Sequence, residues 1–274
     1  MATKTSTSKK RILKSTDNVT QGGLFQWNKY LAILHAAQGV IILILSATRT
    51  FPVTTSYLGV DTLQTQAQGH AVLAAGSQHL FDINLAFLVA AFFFMSAIAH
   101  GLMATYLRPM YERDLKKGIN KIRWIEYAFS AGTMMVGIGL LVGVQDISAL
   151  LMLFALTAVM NLSGLAMELW NQDARNVQWL SYIIGCIAGI LPWVVVAIYL
   201  ISGGIYGSAA PAFVYWIFGS MFILFGSFAV NMLLQYRKVG KWANYLYGER
   251  VYMILSLVAK TVLAWQIFAG SLRP

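Results

Sequence analysis

The stretch SLVAKTVLAWQIFAG, residues 256–270, is apolar except for one full charge, Lys260, and no acidic residue stands within ten positions of it. An ammonium near the middle of a bilayer span costs at least about 2.5–3.5 kcal/mol, so such a lysine is kept for a function or paired with an anion. Extended back to residue 245, the stretch is long enough to cross the hydrocarbon core. What surrounds the lysine therefore decides both fold and function.

The rest of the chain has the same solvent preference. It is 58% hydrophobic and 11% charged, with a mean hydropathy of +0.64, whereas soluble domains carry about 25% charged residues. Seven apolar spans are predicted at 28–48, 84–106, 120–144, 146–170, 178–202, 211–236 and 245–270. This pattern implies an all-α membrane protein, with a polar N-terminal segment (1–26) and one seven-helix membrane domain (27–272). Segment 1–26 lacks an apolar signal core, so the first span is expected to start insertion. The single cysteine, Cys186, falls in the fifth span and excludes an internal disulfide. Sequons begin at Asn18 and Asn161, the first on the side read as cytosolic and the second inside a span, so both read as accidental. No spacing suggests a metal site, and the reading is of a non-enzyme that binds no nucleic acid.

The net charge of +10 is distributed by side. All but three of the 20 lysines and arginines fall before the first span, in the second–third, fourth–fifth and sixth–seventh connections, or at the span edges that adjoin them. The exceptions are Arg49, Arg273 and the buried Lys260. By the positive-inside rule the N-terminus is cytosolic and the C-terminus extracellular, in the plasma membrane. The basic face could also bind anionic lipid or a cytosolic protein. Outside, residues 49–83 form the one long connection. Its β-branched and aromatic run FPVTTSYLGV, punctuated by Pro52 and Gly59, can form a short β-hairpin; an irregular cap is the other reading. His70 and His79 lie there without distinction.

Of the ten acidic residues, Glu126 alone falls clearly inside a span; Glu168 and Glu249 sit at span ends. A buried cation and a buried anion in one bundle invite pairing, either as a plain interhelical salt bridge or as part of a site. Arg123, Glu126, Ser130 and then Thr133 or Met134 share one stripe of the third span. Glu249, Ser256 and Lys260 share a face of the seventh. The two levels do not match, because Glu126 lies near the cytosolic end of its span and Lys260 slightly beyond mid-span.

A lysine in the seventh helix with a hydroxyl four before it, and an R-x-x-E-x-x-x-S run in the third (Arg123, Glu126, Ser130), resembles microbial rhodopsins. The inverted orientation, the glutamate in the third helix, Ser256, the long first outer loop and the GERVYMILSLVAK seventh helix are similar to the heliorhodopsins over essentially the whole chain. That resemblance implies a seven-helix rhodopsin-like bundle, all-trans retinal bound to Lys260 through a protonated Schiff base, and Glu126 as counter-ion. It also implies a homodimeric photoreceptor that signals without pumping.

A retinal slot needs apolar, aromatic walls. Phe218, Phe222 and Phe225 on the sixth span and Trp193 on the fifth are candidates, with Tyr127, Met134 and Asn161 weaker ones; such stripes are more often plain packing residues. His35 and His100 are embedded in the first two spans, where the resemblance makes them proton-accepting candidates in a polar cavity, with Arg123 and Glu249 beside them. The position four before Lys260 is Ser256 and that eleven after Glu126 is Gly137, so the relay acids of a pump are missing. A light-driven proton or ion transporter is the alternative. A signalling output would use the basic cytosolic loops and an unidentified partner.

Overall fold

The computed structural model describes residues 19–172 and 174–273. The basic stretch through Asn18, with Lys4, Lys9, Lys10, Arg11, Lys14 and the first sequon asparagine, lies outside these residues, as does Asp173.

Among the described residues, seven helices are long and apolar enough to cross a membrane. They are α1 (Gln21–Leu45), α3 (Leu85–Ala104), α5 (Lys121–Leu141), α6 (Ile147–Trp170), α7 (Leu180–Tyr206), α8 (Ala212–Tyr236) and α9 (Tyr245–Ile267), the last continued by a π turn, Phe268–Leu272. Helix α1 begins seven residues before the predicted start at 28. The Thr20 hydroxyl accepts from the Gly23 amide, and Leu24 is fully buried, so a polar, glycine-containing turn is stabilised by its cap and its packing. Outward faces are apolar, as at Ile33, Ile44, Ile98 and Ile223, which suits lipid. Between helices that lipid solvates equally well, close packing carries the association. A side chain at Gly164 would come within 2.5 Å of the Trp124 ring, and one at Gly132 within 2.7 Å of Phe154, so α5 and α6 meet over these glycines.

The connection between the first two spans does form a hairpin, longer than predicted. Strand β1 (Thr50–Val60) pairs antiparallel with β2 (Leu73–Asn84), from Thr50 opposite Asn84 to Val60 opposite Leu73, with a bulge after Val53. A short helix, α2 (Thr62–Gln68), caps its tip. The hairpin is latched at both sides. The Thr54 amide donates to Gln145 O, and the Ser56 amide and hydroxyl donate to Asp146 Oδ2 at 2.8 and 2.7 Å. Opposite, the Ala47 amide donates to Leu272 O and Arg49 Nε to Ser271 O.

At the other face, the basic connection read as a loop contains helix α4 (Arg108–Lys116). Tyr111 and Leu115 are buried on Leu24, Leu31, Met103 and Met253, while Arg113 and Lys116 face outward. Helix α4 therefore lies as a lid over the ends of α1, α3 and α9. Beneath it α5 starts deep, since Asn120 at its N-cap hydrogen-bonds Glu249 on α9.

Candidate functional site

That depth resolves the mismatch between Glu126 and Lys260. Counting from the Asn120–Glu249 contact, Glu126 rises six residues and Lys260 eleven, a difference of about 7.5 Å along the axes. A helical side chain leans back toward its own N-terminus, and Lys260 spans the gap that way. Its Nζ donates to Ser256 Oγ at 2.8 Å, one turn back, and lies 3.2 Å from Glu126 Oε1. Ser96 on α3, four residues before His100, donates to the same carboxylate oxygen at 2.6 Å. Lys260 and Glu126 are both buried. The Tyr127 ring lies 5.1 Å from the ammonium and is held by its hydroxyl, which donates to Tyr252 O.

The expectation of a single buried anion is corrected by the structure. Glu168 and Glu249, placed at span ends, are 2% and 1% exposed, and Asp114 on α4 is buried as well. Arg123 joins two of them. One guanidinium nitrogen bonds Glu249 Oε2, and the other lies 2.5 Å from Glu168 Oε1. The Asn120 amide and side chain donate one bond to each acid, and Tyr245 OH donates to Glu168. The guanidinium also lies over the rings of Trp124 and Tyr252 at 4.5 and 4.1 Å, the two rings meeting edge-on. Buried charges survive only when paired and hydrogen-bonded, and this cluster meets that condition. Sequence reading missed Glu168 because only tertiary pairing distinguishes it from a solvated helix-end acid.

A cavity of about 40 Å³ opens beside Lys260, walled by Tyr127, Ser130, Met134, Asn161, Phe225 and Ser256, all anticipated, and by Met160, Phe228 and Ala259, which were not. It shares Met160, Asn161, Phe225 and Phe228 with a cavity of about 190 Å³ between α6, α7 and α8, lined by Trp193, Phe222, Gly185 and Gly189 among others. Trp193 meets Phe218, Phe222 and Phe225 edge-on at 5.5–5.8 Å. Phe218 lines neither cavity and serves as packing behind Trp193. Phe228 carried a usable signal, standing three residues after Phe225 on the same stripe.

Toward α4 a smaller cavity, about 10 Å³, is bounded by His100, Asn28, Asn120, Arg123, Glu126 and Glu249. His100 Nδ1 lies 2.7 Å from Asn28 Oδ1. His35 stacks on His100 at 5.6 Å and 7°, with neither ring nitrogen bonded to a described residue.

A seven-helix bundle with one amine buried between α5 and α9, a carboxylate beside it and an aromatic slot leading away defines a rhodopsin-type membrane protein. The chain belongs to the heliorhodopsin family, whose family model matches residues 24–272. Similar solved structures include a light-driven proton pump from Leptosphaeria maculans (15% identity, TM-score 0.61, covering 89% of this chain and 94% of that one). Cyanorhodopsin from the cyanobacterium Tolypothrix sp. is another (12% identity, TM-score 0.57, 90% of each chain). At these identities the likeness is one of fold. No curated protein matches. Family and fold together make this a multi-pass, retinal-binding, light-responsive membrane protein. The residues present fit that cofactor: Lys260 is the one buried lysine among the described residues, and an apolar slot begins at its amine.

Proposed function

We propose that the protein is a photoreceptor in which all-trans retinal is held by Lys260 with Glu126 as counter-ion, and that it signals without pumping ions. When bound, retinal supplies light absorption and the energy of isomerisation. The chain's own residues do the rest. Glu126 Oε1, oriented by the Ser96 hydroxyl, stabilises positive charge at Lys260 Nζ. The free amine also donates to Ser256 Oγ; with a single N–H left at Nζ, Glu126 is the acceptor that carries the charge. Met160, Phe225 and Phe228 exclude water from Nζ, and Tyr127, Ser130, Met134, Asn161, Trp193 and Phe222 wall the slot.

One observation carries the non-pumping reading. Among the described residues, every buried acid or base other than Lys260 lies on the α4 side of that lysine, and none lies between it and the hairpin. A proton displaced from Nζ therefore has acceptors on one side only, Glu126 at 3.2 Å and the stacked pair His100 and His35 beyond it, and returns by the way it left. The strongly basic α4 face supports a cytosolic N-terminus by the positive-inside rule. A plasma-membrane location and an α4-side surface that engages a cytosolic partner belong to the same reading. So does a homodimer, for which family resemblance is the support. No enzymatic activity enters it.

The test has two parts. Purified protein given all-trans retinal should become coloured and bleach with hydroxylamine. Illuminated cells expressing it should show no sustained pH change or photocurrent. A steady light-driven current would establish transport instead.

A further inference from the structure

Asn28 is fully buried in α1, and the directions of its two hydrogen bonds are not interchangeable. Its Nδ2 donates to Leu24 O at 3.0 Å, one turn back. A carbonyl oxygen can only accept, so the amide nitrogen must face Leu24. That orientation, which density alone often leaves open, is here decided by the network. It turns Oδ1 toward α3, 2.7 Å from His100 Nδ1. An amide oxygen also only accepts, so His100 must be the donor. The opposite tautomer would set two lone pairs against each other at that distance.

We propose that Asn28 is a positioning residue that holds neutral His100 as its Nδ1–H tautomer, leaving Nε2 as the bare nitrogen that takes up a proton. No described residue hydrogen-bonds Nε2, and His100 borders the small cavity shared with Glu126. The transfer balances simply. The N–H bond at Lys260 Nζ breaks, its electron pair stays on that nitrogen, and the proton bonds to the Nε2 lone pair. The resulting imidazolium donates from both nitrogens. Asn28 Oδ1 accepts the Nδ1–H bond equally well before and after, so it need not turn when the ring charges. The charged or titratable groups around His100 are His35 on α1, Arg123, Glu126 and Tyr127 on α5, and Glu249 and Lys260 on α9. Use of Nε2 as acceptor rests on the proposed displacement of the Lys260 proton; the tautomer does not.

Solid-state NMR of ring-15N histidine in the dark protein separates the two, with the His100 signals identified by their loss in His100→Gln. The wild type should show protonated Nδ1 and bare Nε2. Asn28→Asp, which keeps an acceptor in place, should retain the Nδ1 proton. Asn28→Leu, of similar shape without an acceptor, should move the proton wholly or partly to Nε2. A wild-type Nε2–H tautomer, or a pattern unchanged in Asn28→Leu, overturns the assignment. The wild-type spectrum decides even if the leucine variant does not fold. With retinal bound, flash-induced proton uptake by His100 should slow by about tenfold or more in Asn28→Leu and recover in Asn28→Asp. Unaltered kinetics alongside a shifted tautomer would overturn the acceptor role of His100 and leave the positioning by Asn28 standing.

Discussion

On the α4 side of Lys260 the helices are joined by charges and amides, and on the hairpin side by hydrocarbon. The first half holds Lys260–Glu126–Ser96, Arg123 between Glu168 and Glu249, Asn28–His100, and Asn231 Nδ2 donating to Gly248 O. The second packs Phe92, Phe93, Ile138, Leu153, Val196, Ile217 and Leu263. Its interhelical side-chain hydrogen bonds are Thr261 to Gln38 Oε1 at 3.0 Å and Ser220 to Gln266 Oε1 at 3.1 Å. Hydrocarbon packing alone can hold a bundle in lipid, so the polar half is not needed for assembly as such. Desolvating five charged groups is costly even when they are paired. On the proposed function, their concentration on one side is where protons and electric fields would be handled, and the dry half would be the barrier that keeps this handling one-sided.

The contrast can be broken most completely at its boundary. Lys260→Ala should abolish colour with retinal, read by visible absorption; a pigment that still forms would move the attachment elsewhere. Arg123→Ala leaves two buried carboxylates without their guanidinium and should destabilise the fold by about 3–5 kcal/mol, read by unfolding in denaturing detergent. A loss below ~1 kcal/mol would mean that the cluster relaxes or neutralises at little cost. Glu126→Gln should shift absorption to the red and weaken retention of the Lys260 proton, read by spectral pH titration; an unchanged spectrum removes Glu126 as counter-ion. In the dry half, Gln38→Leu should cost only about 0.6 kcal/mol, the average for interhelical hydrogen bonds in membranes.

The smallest effect concerns the hairpin latch. The Ser56 hydroxyl holds the surface carboxyl of Asp146 below the usual carboxylate range. The latch is therefore fully present above the ordinary value near 3.9 and is lost as pH falls through the lower folded value. Amide protection in residues 54–58, corrected for the intrinsic pH dependence of exchange, should drop as pH falls through the lowered Asp146 value, and Asp146→Asn should show the reduced protection already at neutral pH. Corrected protection that does not change with pH in the wild type would dissociate the latch from the carboxylate.

Much of the dry half was legible from hydropathy, because a span facing lipid must be apolar for its whole length. The α4 half was legible only at its rarest residues. Lys260 and Glu126 stood out as charges inside spans, and helical phase put Arg123 and Ser256 on the right faces. Glu168 escaped because an acid at a helix end is ordinarily solvated; here its bonds to Asn120, Arg123 and Tyr245 hold it buried. Helix α4 escaped because RPMYERDLK is mostly charged, and its two apolar contacts, Tyr111 and Leu115, gain meaning only against α1, α3 and α9. Phe218 looked equivalent to Phe222 in the sequence, but Trp193 screens it from the cavity.

By itself the sequence determined the solvent, the seven spans, the amine in the last of them and the asymmetry of basic loops, because each follows from local composition against the cost of burying charge. Only the tertiary structure decided that Lys260 reaches Glu126 across a difference in helix level, that Arg123 divides itself between two acids, and which nitrogen of His100 is tied to Asn28. Those facts depend on how far one helix is sunk relative to another and on which single side chain fills a shared space, quantities that no local pattern encodes.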